Sequence, residues 1–487
     1  MRLAKECKVA IIEKTYDGGV CLPERSANMS LRGKLVVFWM KHRPRHIATT
    51  QMVALMFAAI ILLGALLLTL PAASRDGVSC GLRPALFTAT SATCVTGLVL
   101  YDTWSQWSGF GQVVILCLIQ IGGLGFMSVA TLLIFLLRRK IGLQQRLMIA
   151  QSLSVNDIKG VVRLQKLVLT GSFSVEAVGA IILTLRFWPE YGFTRALRWG
   201  VFHSVSAFCN AGFDIFGSIA PGQSLIEFNA DPVVLLTLSA LIIIGGLGFL
   251  VWENIVQKRS FGKFSVYARM VLLMTAALLA VGWAGTCLLE WNNPETLGGM
   301  TVGEKLLNGF FQSATLRTAG FAAIDQAKLT ESGKAFSCVL MSIGGSSGST
   351  AGGIKTVTFL VLALTIWARA RGKSTVCAFK RTIPDEQTQN AMIIAFIVLA
   401  LAVFGGIFIS ATSPMSFTDA VYEAVSALAT VGLSAGGTAS LSIPAQILII
   451  IYMYFGRVGV LTISLGFLAG DRAEERFRYA ETNLLIG

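Results

Sequence analysis

Long apolar runs constrain this sequence more than any other feature. Hydrophobic residues make up 54% of its 487 residues and charged residues only 14%, whereas a soluble domain carries about 25% charged residues. A helix needs about 20 mainly apolar residues to cross the hydrocarbon layer of a membrane. Eight such runs lie near residues 51–70, 110–137, 165–187, 233–256, 267–289, 335–368, 391–412 and 444–469. The sequence therefore predicts an all-α membrane protein with eight transmembrane helices.

The placement of basic residues predicts the orientation of the chain. A net charge of +14 would also suit a protein that binds nucleic acid. Most Lys and Arg, however, lie in the N-terminal tail, in alternate connections between the apolar runs and in the C-terminal tail. Connections rich in Lys and Arg stay in the cytoplasm. We therefore expect a multi-pass protein with both termini in the cytoplasm and no nucleic-acid partner.

Residues that bind metals or carry out catalysis are not grouped in this sequence. The nine cysteines form no CxxC pair, and the three histidines, His42, His46 and His203, form no cluster. Zinc sites and His-based active sites both depend on such groupings. We expect a chain that is not an enzyme, has no catalytic residues and binds no cofactor.

Four short segments share one pattern, in which Ser-Ala and a short spacer are followed by Gly and then Leu or Phe. The pattern begins at Ser91, Ser206, Ser313 and Ser426, and the third copy is one residue longer. Repetition at near-equal spacing indicates a repeated structural unit. The predicted repeats are residues 49–140, 141–262, 263–372 and 373–487, after a basic cytosolic tail of residues 1–48.

A half-length segment precedes each repeated glycine. These segments cover residues 84–94, 196–208, 303–316 and 417–429. They are too short to span a membrane and suit re-entrant pore helices. Two full spans per repeat give all four repeats the same orientation, and parallel copies around an axis enclose one central pore. Inverted repeats, which are typical of alternating-access carriers, are not expected here.

The four glycine loops are predicted to form a selectivity filter. Irregular backbone at membrane depth is tolerated where it lines a water-filled cavity, and rings of carbonyl oxygens can replace the hydration shell of an alkali ion. Glycine permits the backbone conformations that such a loop needs. The predicted filter residues, whose carbonyls would be the only metal ligands, are Val95, Thr96, Gly97, Leu98, Asn210, Ala211, Gly212, Phe213, Thr318, Ala319, Gly320, Phe321, Thr430, Val431, Gly432 and Leu433.

Three carboxylates follow the repeated glycines. Asp102, Asp214 and Asp325 would lie at the outer mouth of the pore and concentrate cations through their local field. The alternative interpretation is that they are ordinary solvated charges at the rim.

A run of small residues interrupts the sixth apolar run. Residues 344–353 contain five glycines, and each glycine costs a helix interior about 1 kcal/mol. We expect the helix to break here and to form a gate loop beneath the filter, although close helix packing through small residues is an alternative. The predicted gate residues in this loop are Gly345, Ser346, Ser347, Gly348, Ser349, Thr350, Gly352 and Gly353. A nucleotide-binding loop is excluded because Ile354 separates Gly353 from Lys355, and because membrane helix rather than strand flanks the run.

Arg457 is an isolated charge in the last apolar run. Such a residue usually faces a cavity or a polar partner, and guanidinium donors suit the exposed carbonyls of a broken helix. We therefore assign Arg457 to the gate as well.

These motifs in combination resemble those of the Trk/Ktr/HKT superfamily of potassium transporters. The resemblance covers roughly residues 49–470 and rests on the four glycine loops, the small-residue run and the segment Phe455-Gly456-Arg457-Val458-Gly459. Eight spans without an extra leading helix pair make the sequence more similar to the Ktr-type membrane subunit than to the longer Trk form.

The resemblance implies potassium uptake across the plasma membrane. Glycine in all four filter loops is associated with potassium preference, and sodium-selective plant relatives carry serine where this sequence has Gly97. The resemblance also implies a homodimer with one pore per subunit, a cytosolic ring of nucleotide-binding, Rossmann-like regulatory subunits, and stimulation of uptake by sodium. Two alternatives remain open, a sodium or unselective cation transporter on the same scaffold and a cation-coupled secondary carrier.

Overall fold

The computed structural model describes residues 49–125 and 160–459, and almost all of its regular structure is helical. In chain order the helices are α1 (Thr49–Thr69), α2 (Leu82–Thr93), α3 (Thr103–Gln106), α4 (Gly109–Leu124), α5 (Val161–Tyr191), α6 (Phe193–Phe208), α7 (Pro232–Gly246), α8 (Phe249–Lys258), α9 (Val266–Glu290), α10 (Val302–Thr315), α11 (Glu331–Ser342), α12 (Thr356–Ala370), α13 (Asp385–Thr412), α14 (Phe417–Leu428) and α15 (Ile443–Val458). A two-residue antiparallel pair, β1 (Cys377–Ala378) with β2 (Arg381–Thr382), connects α12 to α13.

Three predicted segments lie wholly or partly outside the described residues. They are the basic tail of residues 1–48, the end of the run at 110–137, and the end of the run at 444–469 together with the C-terminal tail. The connection between the first and second predicted repeats lies outside them as well.

Four helices, α1, α5, α9 and α13, are long and apolar enough to cross a membrane. Only 22% of the most apolar window of α13 is buried, and its exposed side chains include Phe396 and Leu399. Such a large apolar surface is unfavourable in water and favourable in lipid. The chain is therefore a multi-pass membrane protein.

The four half-length helices α2, α6, α10 and α14 match the predicted half-length segments to within three residues at each end. Each packs against the long helix that precedes it, α1, α5, α9 and α13 respectively. Polar caps fix where two of them begin: Thr301 and Glu304 form a capping box on α10, and the Ser416 hydroxyl accepts a hydrogen bond from the Asp419 N–H on α14. The C-terminal half of α14, from Tyr422 to Leu428, is buried on all sides, so this helix ends inside the protein.

The helices that follow the glycine loops are all shorter than their apolar runs. The run at 233–256 was expected to form one span, but α7 and α8 meet at a bend of 93°. Gly248, with φ +88°, lies at this bend. The run at 335–368 is interrupted between Ser342 and Thr356, as its glycines predict. The helices α4 and α15 end at Gly125 and Gly459, which also have positive φ.

Glycines let three of these helices approach the ends of the half-length helices. A Cβ on Gly122 would lie 2.0 Å from the carbonyl oxygen of Thr93, the last residue of α2. A Cβ on Gly245 would lie 2.0 Å from the carbonyl oxygen of Phe208, the last residue of α6. A Cβ on Gly456 would lie 2.2 Å from the carbonyl oxygen of Leu428, the last residue of α14. These contacts hold the half-length helices against their neighbours.

Gly122→Ala is predicted to destabilise the protein, because the added methyl would meet backbone atoms of Thr93. Overpacking of this kind costs about 1–3 kcal/mol. The matched control is Gly109→Ala in the same helix, where the nearest atom to a Cβ is a side-chain nitrogen of Arg198 at 3.5 Å. The fraction of protein that stays monodisperse after heating in detergent should fall for Gly122→Ala only. Equal heat resistance of the two variants would contradict the close contact.

Candidate functional site

The loops that follow the four half-length helices share one backbone pattern. At the first position of each loop a non-glycine residue has positive φ, and at the third position a glycine does. The first-position residues are Val95 (φ +50°), Asn210 (+57°), Thr318 (+69°) and Thr430 (+52°). The third-position residues are Gly97 (+97°), Gly212 (+69°), Gly320 (+83°) and Gly432 (+93°). Positive φ is uncommon for non-glycine residues, so its recurrence at equivalent positions indicates that all four loops have the same shape.

The four glycines form a closed ring in chain order. A Cβ built on each would approach the second-position carbonyl oxygen of the next loop. The contacts are Gly97 with Ala211 (2.7 Å), Gly212 with Ala319 (2.8 Å), Gly320 with Val431 (2.6 Å) and Gly432 with Thr96 (2.0 Å). A side chain at any of these positions would displace backbone, so the ring requires glycine. The structure thus brings together the four predicted filter loops.

The four carbonyl oxygens of the ring are suited to bind a cation. None of them accepts a hydrogen bond from the residues that the structure describes, although buried carbonyls are nearly always paired. The half-length helices end just before the loops, and a helix C-terminus carries about half a negative charge. No filter residue has a charged side chain. A cation at the ring would therefore be held by backbone oxygens and helix dipoles.

Hydroxyl groups of the half-length helices hold the loops in place in two different ways. The Gly97 and Gly432 N–H groups donate to the hydroxyls of Ser91 and Ser426, each at 3.1 Å. In the second and third loops the hydroxyl donates instead, from Ser206 to the Phe213 carbonyl and from Thr315 to the Phe321 carbonyl, each at 2.7 Å. The filter is thus less symmetric than its sequence pattern indicates.

The third loop departs from the predicted role of its Ser-Ala motif. The Ser313 hydroxyl donates to the Leu279 carbonyl in α9 at 2.8 Å and does not contact the loop. Thr315, two residues later, takes the anchoring position. The one-residue insertion in this copy accounts for the shift, because it moves the loop relative to the end of α10.

Sequence reasoning missed a set of buried polar side chains behind the filter. The imidazole of His203 accepts the Ile215 N–H at 3.2 Å, and Gln312 exchanges hydrogen bonds with Gln326. These side chains tie a half-length helix to the segment after its glycine. Polar residues within a short apolar helix were the available signal.

In the fourth repeat, Glu423 ties the half-length helix α14 to the segment after its glycine. Its carboxylate accepts hydrogen bonds from the hydroxyls of Ser434 and Thr438, the latter at 2.9 Å. Ser434 directly follows the filter residue Leu433. Glu423 is fully buried, so these hydrogen bonds are protected from water and fix the segment after the filter.

A cavity of about 300 Å³ lies on one side of the glycine ring. The four glycines line it together with Asp102, Asp214 and Asp325, so the three predicted outer-mouth carboxylates share one space. All three also hold local backbone, because Asp102 accepts the Ser105 N–H at 2.7 Å, Asp214 accepts the Phe216 N–H at 3.3 Å and Asp325 accepts the Ala327 N–H at 3.0 Å. Asp214 lies in the connection after α6, where burial and the negative charge of Asp102 raise its pKa to about 7.

The predicted gate loop runs from Ile343 to Lys355 without helix. It docks on the break between α7 and α8: the Ser346 N–H donates to the Gly246 carbonyl at 3.1 Å, and the Gly348 carbonyl accepts the Phe249 N–H at 2.9 Å. Backbone groups freed by the two interrupted helices therefore satisfy each other, as a low-dielectric environment requires.

The loop lies against the first positions of the filter, opposite the cavity with the aspartates. The Thr350 hydroxyl is 3.3 Å from the side-chain oxygen of Asn210. A Cβ on Gly352 would lie 2.0 Å from the hydroxyl oxygen of Thr430. The structure thus places the predicted gate residues next to two of the four filter loops.

Arg457 binds carbonyl oxygens on two elements, as the sequence predicts for a guanidinium beside a broken helix. It donates to the Thr350 carbonyl in the loop and to the carbonyls of Gly122 and Gly123 in α4, the last two at 2.6 and 3.1 Å. Sequence reasoning found Arg457 but not its link to α4.

A second cation in this region, Lys355, was not assigned to the gate. Its ammonium group donates to the Ala351 carbonyl at 2.8 Å. Neither Lys355 nor Arg457 takes part in the ion pairs found among the described residues. Two basic side chains therefore lie beneath the predicted filter.

Comparison with known proteins shows the family of this chain. Residues 27–475 match the family described as TrkH, cation transport protein. The chain belongs to this family. It is therefore a cation transporter and not an enzyme. A relative in Enterococcus hirae, potassium/sodium uptake protein NtpJ, is 38% identical over 92% of this chain and 99% of its own length.

Two further members of the family are similar over most of the chain. Ktr system potassium uptake protein B of Bacillus subtilis is 37% identical, over 92% of this chain and 98% of its own length. The crystal structure of the potassium transporter TrkH from Vibrio parahaemolyticus superposes with a TM-score of 0.68 over 88% of this chain and 86% of that one. Its sequence identity is 18%, so this likeness concerns the fold alone.

Cation uptake at low concentration is predicted to depend on pH through Asp214. With a pKa of about 7, its carboxylate is charged at pH 8, where it attracts cations, and is neutral at pH 6. Rubidium uptake into proteoliposomes should therefore fall between pH 8 and pH 6. In Asp214→Asn, the amide oxygen can still accept the Phe216 N–H. Rubidium uptake by this variant should be slow at pH 8 and nearly independent of pH. Asp325→Asn is the control and should keep the pH dependence of the parent. A parental pH profile in Asp214→Asn would contradict the assignment.

Proposed function

We propose that this chain takes up potassium through a channel-like pore, with the four glycine loops as its selectivity filter. The observation that carries the proposal is the closed ring in which each filter glycine meets a carbonyl oxygen of the next loop. Carbonyl rings replace the hydration shell of potassium at low cost. The relatives named as potassium uptake proteins support the same ion.

The proposed architecture has eight transmembrane helices in four parallel repeats around the ring. Within the described residues, the order long helix, half-length helix, glycine loop and shorter helix occurs four times, which supports it. We propose that both termini lie in the cytoplasm and that the membrane is the plasma membrane. The resemblance to Ktr subunits further supports a homodimer, a cytosolic ring of nucleotide-binding regulatory subunits and stimulation by sodium.

A second candidate is uptake of sodium, or of both ions, on the same scaffold. The name of the Enterococcus hirae relative, potassium/sodium uptake protein, is the observation that favours it. The two candidates share the pore and differ only in the ion that the carbonyl ring prefers.

The loop between Ile343 and Lys355 is proposed to be the gate, together with Arg457. The loop lies directly beneath the filter, and Arg457 binds it to α4. The positive charge of Arg457 would repel a cation that leaves the filter. Opening would need the loop to move aside, and movement of the cytoplasmic ends of the inner helices would release it.

Gly97→Ser is predicted to weaken the discrimination between potassium and sodium. A Cβ at this position would lie 2.7 Å from the Ala211 carbonyl oxygen, so the ring must deform. Rubidium and sodium uptake should be compared in cells that lack their own potassium uptake systems. The control is Gly81→Ser, which places the same side chain on a left-handed glycine with open space around it. An unchanged uptake ratio in Gly97→Ser at normal expression would contradict the filter assignment.

Deleting several residues between Ser346 and Gly352 is predicted to raise the maximal uptake rate with little change in apparent affinity, because no residue of the filter is removed. Arg457→Gln should act in the same direction, less strongly. A matched deletion of the exposed residues 372–374, in the turn after α12, should leave the rate unchanged. Slower uptake by a folded loop deletion would instead identify the loop as a packing element.

A further inference from the structure

Asn210 differs from its three counterparts in the filter. The equivalent first-position residues are Val95, Thr318 and Thr430, which carry no amide. Asn210 adopts φ +57° and is 1% exposed. Asparagine tolerates left-handed backbone better than most residues, but that tolerance does not explain why its amide is buried beneath a cation filter.

The amide of Asn210 links two parts of the site. Its side-chain oxygen accepts from the Thr350 hydroxyl at 3.3 Å, and its side-chain nitrogen donates to the Arg317 carbonyl at 3.4 Å. Thr350 belongs to the gate loop, and Arg317 directly precedes the third filter loop. The same hydroxyl also lies 3.2 Å from the carbonyl of Phe208, at the end of α6. One side chain thus connects the gate loop, its own filter loop and the next filter loop.

We propose that Asn210 couples the gate to the filter, so that the position of the gate loop sets the ion preference of the ring. This inference rests on the proposed function, because it assumes that the loop is a gate. When the gate loop moves away from the filter, the hydrogen bond between the Thr350 hydroxyl and the Asn210 amide breaks. The amide then no longer holds the Arg317 carbonyl in a fixed orientation. The second and third filter loops then relax together.

The contacts of Thr350 allow the coupling to be tested separately from the gate itself. Arg457 binds the backbone carbonyl of Thr350, whereas Asn210 binds its hydroxyl. Thr350→Val removes the hydroxyl, keeps the branched shape and leaves the carbonyl for Arg457. Both Thr350 and Asn210 are almost fully buried, so water cannot readily replace the lost hydrogen bond.

The experiment measures the rubidium-to-sodium uptake ratio and the maximal rubidium rate in proteoliposomes of full-length protein. Thr350→Val should raise the rate by up to about tenfold, the equilibrium factor of one buried hydrogen bond. It should also shift the rubidium-to-sodium uptake ratio toward the ratio of the chain that lacks residues between Ser346 and Gly352. Thr350→Ser, which keeps the hydroxyl, should stay closer to the parent. Thr365→Val, which removes a buried hydroxyl bonded only within α12, is the control and should change neither quantity.

A double-mutant cycle tests the same coupling from the filter side. Asn210→Ala alone should change the uptake ratio, and adding Thr350→Val should change it no further. If the two substitutions change the uptake ratio by independent amounts that add up in the double variant, the coupling is overturned. A faster rate in Thr350→Val with a parental ratio would also overturn it while leaving the proposed gate intact. Failure of the loop deletion itself to raise the rate would overturn the gate. If Thr350→Val does not fold, Thr350→Ala supplies the same comparisons.

Discussion

Four carbonyl oxygens that accept no hydrogen bond from the described residues set the conditions for the rest of this structure. The oxygens belong to Thr96, Ala211, Ala319 and Val431, and each lies against a glycine of a neighbouring loop. A buried carbonyl that lacks a partner is unfavourable, and at membrane depth few donors are available. A cation held by these oxygens satisfies all four at once. The ring is therefore stable as a site for an ion and unfavourable without one.

The surrounding elements keep the ring from collapsing. The half-length helices bring the loops together, and their hydroxyls fix the backbone through Ser91, Ser206, Thr315 and Ser426. Glycines of α4, α7 and α15 let these helices pack against the ends of the half-length helices. On the opposite side of the ring from the aspartates, the gate loop fills the space beneath the filter. Three of its carbonyls accept hydrogen bonds from Arg457, Lys355 and the Phe249 N–H at the start of α8, and its Ser346 N–H donates to the Gly246 carbonyl at the end of α7.

Much of the fold could be predicted from local patterns. The half-length helices and the glycine loops follow from segment length and repetition, and the break before Thr356 follows from glycine content. The glycines at 245, 246 and 248 indicate packing contacts or a hinge in this apolar run. The bend of 93° itself could not be predicted, because it depends on contacts with the loop between Ile343 and Lys355. The role of Thr315 in place of Ser313 depends on how an inserted residue is accommodated. The Asn210–Thr350 contact joins residues far apart in the sequence, so no local pattern predicts it.

The most direct measurement is the ion selectivity of currents through purified protein in a planar bilayer. Potassium is in excess on one side and sodium on the other, with a lower known concentration of each ion on the opposite side. The reversal potential is recorded in the parent and in the chain with a shortened gate loop. A selective carbonyl ring predicts currents that reverse near the equilibrium potential of potassium in the parent, and larger currents in the shortened chain. Currents of the parent that reverse near zero, or near the equilibrium potential of sodium, would contradict the central claim that the glycine ring selects potassium.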